Sequence, residues 1–221
     1  ATLVEVLRIL SDQKYANMII PNIKDPVVKR YWTDEVANTQ EFHKSEKLGY
    51  IVSKFDRFVT NKLTRNIFGQ SKSAFNIRWM MDNKKILIVN LSKGILGEEN
   101  AQFLGLLLVP KILSAAMSRA DIPQEKRQDF YLYVDEFQNF STEDFAQILS
   151  EARKYRLNLI VANQYITQID EKIRDAVFGN VGTAITMKVG RADAQFLEQL
   201  YTPIFNSTDL VNQENENAYM K

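Results

Sequence analysis

Two adjacent acids, Asp135 and Glu136, close the apolar run Phe130-Tyr131-Leu132-Tyr133-Val134. A short, rigid strand that delivers two carboxylates to its carboxyl end suits phosphate chemistry. The first acid would hold Mg²⁺, through water, and the second would orient and polarise the water attacking a γ-phosphate. This is the Walker B arrangement. The same residues also fit a buried strand running into an acidic helix cap. A second apolar run, Leu157-Asn158-Leu159-Ile160-Val161-Ala162, leads to Gln164. That strand-end amide either senses a γ-phosphate or is an ordinary solvated loop amide. A third run, residues 85–91, leads into Ser92-Lys93-Gly94, where Lys93 either touches nucleotide or nucleic acid or is a plain loop lysine. Ligands of open parallel sheets bind at the carboxyl ends of the strands, so three runs ending in polar groups describe one candidate edge.

These residues need elements to hold them. Residues 1–84 read as helical. Leu3, Val6, Leu7 and Leu10 recur at helical spacing. Asp25-Pro26 is a cap followed by a first-turn proline, with Val28, Tyr31 and Trp32 expected on one face beyond it. Ile51, Phe55, Phe58 and Val59 mark a further helix. Residues 85–221 alternate strands with helices. Strands are expected at 85–91, 130–134, 157–162 and 181–189. Helices are expected at about 98–119, 141–155, 170–178 (stopped by Gly179) and 191–201, with a loose polar tail over 206–217. Such alternation predicts a largely parallel α/β sheet.

Composition narrows the chemistry. The 221 residues are 45% hydrophobic and 25% charged, an ordinary globular balance. There is no cysteine, which excludes thiolate zinc sites, cysteine nucleophiles and disulfides. The one histidine, His43, sits in a polar stretch and reads as a surface residue. Net charge is +1, but residues 1–84 hold 14 basic and 9 acidic residues, with the excess densest from Lys54 to Lys84. That stretch is either a face for nucleic acid or a solvated surface. The longest apolar run, residues 103–117, is broken by Pro110 and Lys111, so no membrane span is expected. The chain opens on Ala1 rather than methionine, which predicts a piece of a longer polypeptide.

A phosphate-binding loop, G-x-x-x-x-G-K-[ST], is missing from the sequence. Gly69-Gln70-Ser71-Lys72-Ser73 lacks the Gly-Lys pair and follows no strand. Without that cradle of backbone amides and its lysine, the chain alone is expected to bind ATP weakly or not at all.

From about Asn66 to Val189 the sequence resembles the TraG/TraD-like coupling proteins of conjugation and type IV secretion, in the HerA/FtsK branch of RecA-like ATPases. The stretches that carry the resemblance are 85–94 (KILIVNLSKG), 130–140 (FYLYVDEFQNF) and 150–165 (SEARKYRLNLIVANQY). The resemblance implies a partial RecA-like P-loop NTPase core, of α/β class, preceded by an all-helical domain. The helical domain would be residues 1–84, and the second half of the nucleotide-binding domain residues 85–221. It implies ATP and Mg²⁺ as ligands, with Asp135 and Glu136 in the Walker B roles, Gln164 as γ-phosphate sensor and Arg153 as an arginine finger. A basic helix end is otherwise ordinary dipole complementation. It also implies DNA as partner, a homo-hexameric ring, relaxosome or secretion-system proteins as further partners, and a place at the cytoplasmic face of a bacterial membrane.

Two functions follow from this. One is an ATP-driven DNA translocase, active only when completed by the phosphate-loop half. The alternative is a non-catalytic docking module that recruits DNA–protein complexes, with the helical region as its contact surface. A metal-dependent nuclease built on Asp135 and Glu136 fits less well, because adjacent acids on a strand project in different directions.

Overall fold

The computed structural model describes residues 2–36, 49–50, 52–53, 59–142 and 151–221. His43, Ile51, Phe55, Phe58, Lys54 and Arg57 lie outside these, as does residues 143–150 of the helix expected at 141–155. Two compact units divide between Phe75 and Asn76.

The first unit is helical where it is described. Helix α1 (Leu3–Ser11) starts on a capping box, in which Thr2 accepts from the Glu5 amide and Glu5 accepts from the Thr2 amide. Asp12 ends α1 and caps α2 (Gln13–Ile19), so the two helices meet at a sharp corner. Arg8 lies 4.2 Å from the Tyr15 ring centroid across that corner, and Leu7, Tyr15 and Ala16 are buried. Asp25 and Pro26 open α3 (Pro26–Arg30) as expected, but Val28 and Tyr31 beyond them are exposed. Helix α4 (Lys62–Phe68), capped by Asn61, packs on α1 and buries Thr64.

The second unit opens with α5 (Ile77–Asp82), α6 (Lys93–Leu96) and α7 (Glu98–Met117). Helix α5 falls in the stretch read as the helical region, yet it packs on α7 and joins the second unit. Strands β1 (Phe130–Val134) and β2 (Leu157–Val161) pair in parallel, from Phe130 opposite Leu157 to Val134 opposite Val161. The pleat sends Phe130, Leu132 and Val134 into a core with Ile77, Met81, Val109, Ile112, Leu113, Leu157 and Val177, and leaves Tyr131 and Tyr133 exposed. Helix α7 spans the length read for it. By length and composition alone, Glu98–Asp121 could cross a membrane, but Val109, Ile112, Leu113 and Ala116 belong to this core, and Ala101 and Gly105 are buried too.

Four expectations need correction. Residues 85–91 are not a strand: they run unpaired, with Ile86 86% and Ile88 87% exposed. Their apolar character favours extended backbone, but a strand exists only through a partner's ladder, and none is formed among the described residues. The strand expected at 181–189 shrinks to β3 (Ile185–Thr186), which pairs antiparallel with β4 (Tyr219–Met220) in a separate two-stranded sheet. Helix α8 (Glu171–Asn180) runs through Gly179 and is capped by Val181, because nothing there demands a left-handed turn. The tail is not loose. Asn206 and Asp209 form a capping box for α10 (Ser207–Asn212), which packs on α9 (Arg191–Tyr201). The Tyr201 hydroxyl reaches the carbonyls of Ala184 and Tyr219 and the hydroxyl of Thr186, tying the small sheet to α9.

Candidate functional site

The parallel register sets the geometry. Because Val134 stands opposite Val161, the residues after both strands emerge at the same rim. The ladder continues one step further: the Ala162 amide donates to the Val134 carbonyl, and the Phe137 amide donates to the Ala162 carbonyl, each at 2.9 Å. Phe137, fully buried, anchors the turn from below. Between these fixed points Glu136 takes a left-handed backbone, φ 50°, which non-glycine residues rarely adopt. A 3₁₀ turn, Phe137–Asn139, follows directly.

That turn brings the acids and the glutamine together. Gln164 Nε2 donates to Glu136 Oε1 at 2.6 Å, joining residues 28 apart in sequence. Gln138 Nε2 donates to Glu136 Oε2 at 2.5 Å. Asp135 is exposed; its Oδ1 accepts from the Glu136 amide at 2.9 Å, and Oδ2 has no partner among the described residues. A cavity of about 710 Å³ opens beside this rim, between β1, α7 and residues 87–93, and Asp135, Glu136, Asn139, Gln164, Asn90 and Lys93 line its polar part. Lys93 is engaged with Glu98 at 2.8 Å, and this hydrogen-bonded ammonium lowers the Glu98 carboxyl below its ordinary range. Both groups are exposed.

Among the described residues no three His, Cys, Asp or Glu side chains cluster as a metal site. The chemistry of the rim therefore suits a cation that takes most of its ligands from phosphate and water, with a single carboxylate such as Asp135 behind a water. It does not suit a cage made of protein ligands, and it offers no third carboxylate for a two-metal nuclease.

Arg153 is not brought to this rim. It lies in the 3₁₀ turn Arg153–Tyr155 that leads into β2, at the amino end of the strands, with its side chain exposed. Five residues of strand separate it from the carboxylates, roughly 16 Å. Its turn is held by two arginines: buried Arg119 donates to the Tyr155 carbonyl at 3.1 Å, and half-buried Arg127 donates to the Lys154 carbonyl at 2.5 Å. Of the basic stretch 54–84, Arg78 is occupied by ion pairs with Asp82 and Asp121, while Lys62, Arg65 and Lys72 are exposed.

Two contributors escaped the sequence reading. Gln138 carries no motif of its own, and its convergence on Glu136 depends on a left-handed glutamate that residue type does not signal. Gly105 of α7 lies under the Phe140 ring so closely that a Cβ there would stand 2.2 Å from two ring carbons. The packing of a glycine inside a long apolar helix is invisible without its partner.

Residues 129–202 match the family described as the TraM recognition site of TraD and TraG. No curated protein sequence matches the chain. Among solved structures, the bacterial conjugative coupling protein TrwBdeltaN70, in an unbound monoclinic form, is similar in fold, with a TM-score of 0.63 at 14% identity. The similarity covers 99% of this chain, which spans 57% of the length of that structure.

Proposed function

We propose that the chain is a TraG/TraD-like coupling protein and the Walker-B-bearing part of an ATPase driving DNA transfer; the match over residues 129–202 and the similarity in fold support this reading. The observation that carries this is the bond between Glu136 and Gln164 across two parallel strands. A strand-end glutamate tied to the neighbouring strand's glutamine couples the group that handles water to the group that feels the γ-phosphate.

In this reading Asp135 would hold Mg²⁺ through water, and the ion would supply positive charge against the phosphates. Glu136 orients the attacking water and takes its proton, and Gln164 reports the presence of the γ-phosphate through the shared hydrogen bond. The sequence holds no G-x-x-x-x-G-K-[ST], so in this reading hydrolysis requires a phosphate-binding half that these 221 residues do not supply. Arg153, at the far end of the strands, would serve a neighbouring subunit of a homo-hexameric ring around DNA, at the cytoplasmic face of a bacterial membrane.

The test is Glu136→Gln in the full-length protein. Turnover should fall at least about 100-fold while ATP binding persists. Hydrolysis at the parental rate would remove the assignment.

A second reading is favoured by the description of the matching family, a TraM recognition site. The chain then docks a relaxosome protein, through residues 129–202 rather than through the helical region expected from the sequence. Titrating the full-length protein with a TraM-type protein and, separately, with DNA over a salt series distinguishes the two. Salt-steep DNA affinity supports the motor, and tight protein binding without DNA affinity supports docking alone.

A further inference from the structure

We infer that Gln138 is a positioning residue that, with Gln164, clamps the Glu136 carboxylate by one amide on each oxygen. The inference rests on the reading of Glu136 as the group that orients the attacking water. Four observations support it. The two amide contacts, 2.5 Å from Gln138 and 2.6 Å from Gln164, are short and come from different elements, the 3₁₀ turn and the end of β2. The left-handed backbone of Glu136 is what lets a side chain two residues on fold back onto it. The turn is fixed below by buried Phe137 and its amide bond to Ala162, so Gln138 has little freedom to leave.

The fourth observation is a cost. Gln138 Oε1 is buried without a partner among the described residues. Buried acceptors are nearly always satisfied, and an unsatisfied one destabilises the fold. Rotating the amide would bring that oxygen against the Glu136 carboxylate, oxygen to oxygen. Among the described residues the Gln138 amide thus keeps its donor on Glu136 and finds no donor for its oxygen. Held on both oxygens, the carboxylate is fixed in one rotamer, so its orientation towards the attacking water is set in advance.

The experiment compares Gln138→Met with Glu136→Gln in the full-length protein. Met matches the length of Gln, removes the donor and also removes the unpaired acceptor, so thermal stability should be unchanged or raised. The kcat for ATP hydrolysis should fall about 10-fold or more with little change in KM. A purely structural role would change stability or KM along with kcat. Gln138→Leu should reproduce the fall in kcat. If Gln138→Met keeps the parental kcat while Glu136→Gln is inactive, the clamp is wrong and the Walker reading stands. If Glu136→Gln hydrolyses ATP at the parental rate, both fall.

Discussion

Gln164 donates to Glu136 across the carboxyl rim of two parallel strands, at 2.6 Å, and neither residue reaches the other through its own element. The contact exists only while β1 and β2 keep their register. Gln164→Ala should therefore leave the fold intact, since Gln164 is exposed, and act on chemistry instead. We expect kcat for ATP hydrolysis by the full-length protein to fall about 100-fold, the scale for losing one preorganised donor, with ATP binding within a few-fold of the parent. Steady-state kinetics alongside a nucleotide-binding titration read both. A fall in binding that accounts for the whole loss would assign Gln164 to substrate affinity instead.

The close approach of Phe140 to Gly105 gives a second expectation. The ring ends the turn that holds Glu136 and Gln138, and it fits against α7 only because residue 105 has no Cβ. Gly105→Ala improves intrinsic helix propensity by about 1 kcal/mol, yet forces the ring to move. Overpacking of this kind costs about 1–3 kcal/mol, so the net effect should be destabilising. Denaturant unfolding measures it. A more stable Gly105→Ala protein would mean that the Phe140 ring swings aside at no cost.

What could be read from sequence divides by range. Strands β1 and β2 and helices α7 and α9 were legible because each combines a strong local pattern with burial in a core. The placement of Asp135 and Glu136 at a strand end was legible because the run of residues 130–134 carries it by itself. Residues 85–91 carry a comparable run, but pairing is a property of two segments, and they have no strand partner among the described residues. The region after residue 181 was misread for the opposite reason. Its short strand pairs with Tyr219–Met220, a partner in a tail whose polar composition gave no hint of it. Gln138 and Gly105 were out of reach because one needs a left-handed glutamate and the other a ring that packs from 35 residues away.

Arg119 predicts a large stability effect far from the rim. Its side chain is 0% exposed, pairs with Asp82 at 3.1 Å, and donates to the carbonyls of Tyr155 and Gln128. Burial pushes the guanidinium pKa down and the Asp82 carboxylate pulls it back, so the charge is kept by its partner. Arg119→Met leaves Asp82 with Arg78 and leaves two carbonyls without their donor, and should cost about 1–3 kcal/mol for each carbonyl. Adding Asp82→Leu should cost less than it does alone, because the Arg119–Asp82 pair is already broken. Unfolding curves for the single and double variants form the check, and strictly additive losses would show that the pair contributes nothing.

Arg153 supplies the last prediction, and its position decides the form of the experiment. It sits at the amino end of β2, roughly 16 Å of strand away from Glu136, so it cannot assist the rim of its own chain. Its turn is nevertheless held by Arg119 and Arg127 through the carbonyls of Tyr155 and Lys154, which leaves the Arg153 side chain presented to solvent from a rigid base. An arginine held this way suits a finger acting on a neighbour's nucleotide, where such a residue supplies about 10³-fold or more in rate. Arg153→Ala should then retain folding and ATP binding and lose turnover. Mixing it with Glu136→Gln subunits separates action in trans from action in cis. In a ring with both kinds of subunit, an intact Glu136 site can sit beside an intact Arg153, so activity should reappear. Two inactive variants that stay inactive at every mixing ratio, in rings demonstrated to be mixed, would place Arg153 outside the neighbour's site.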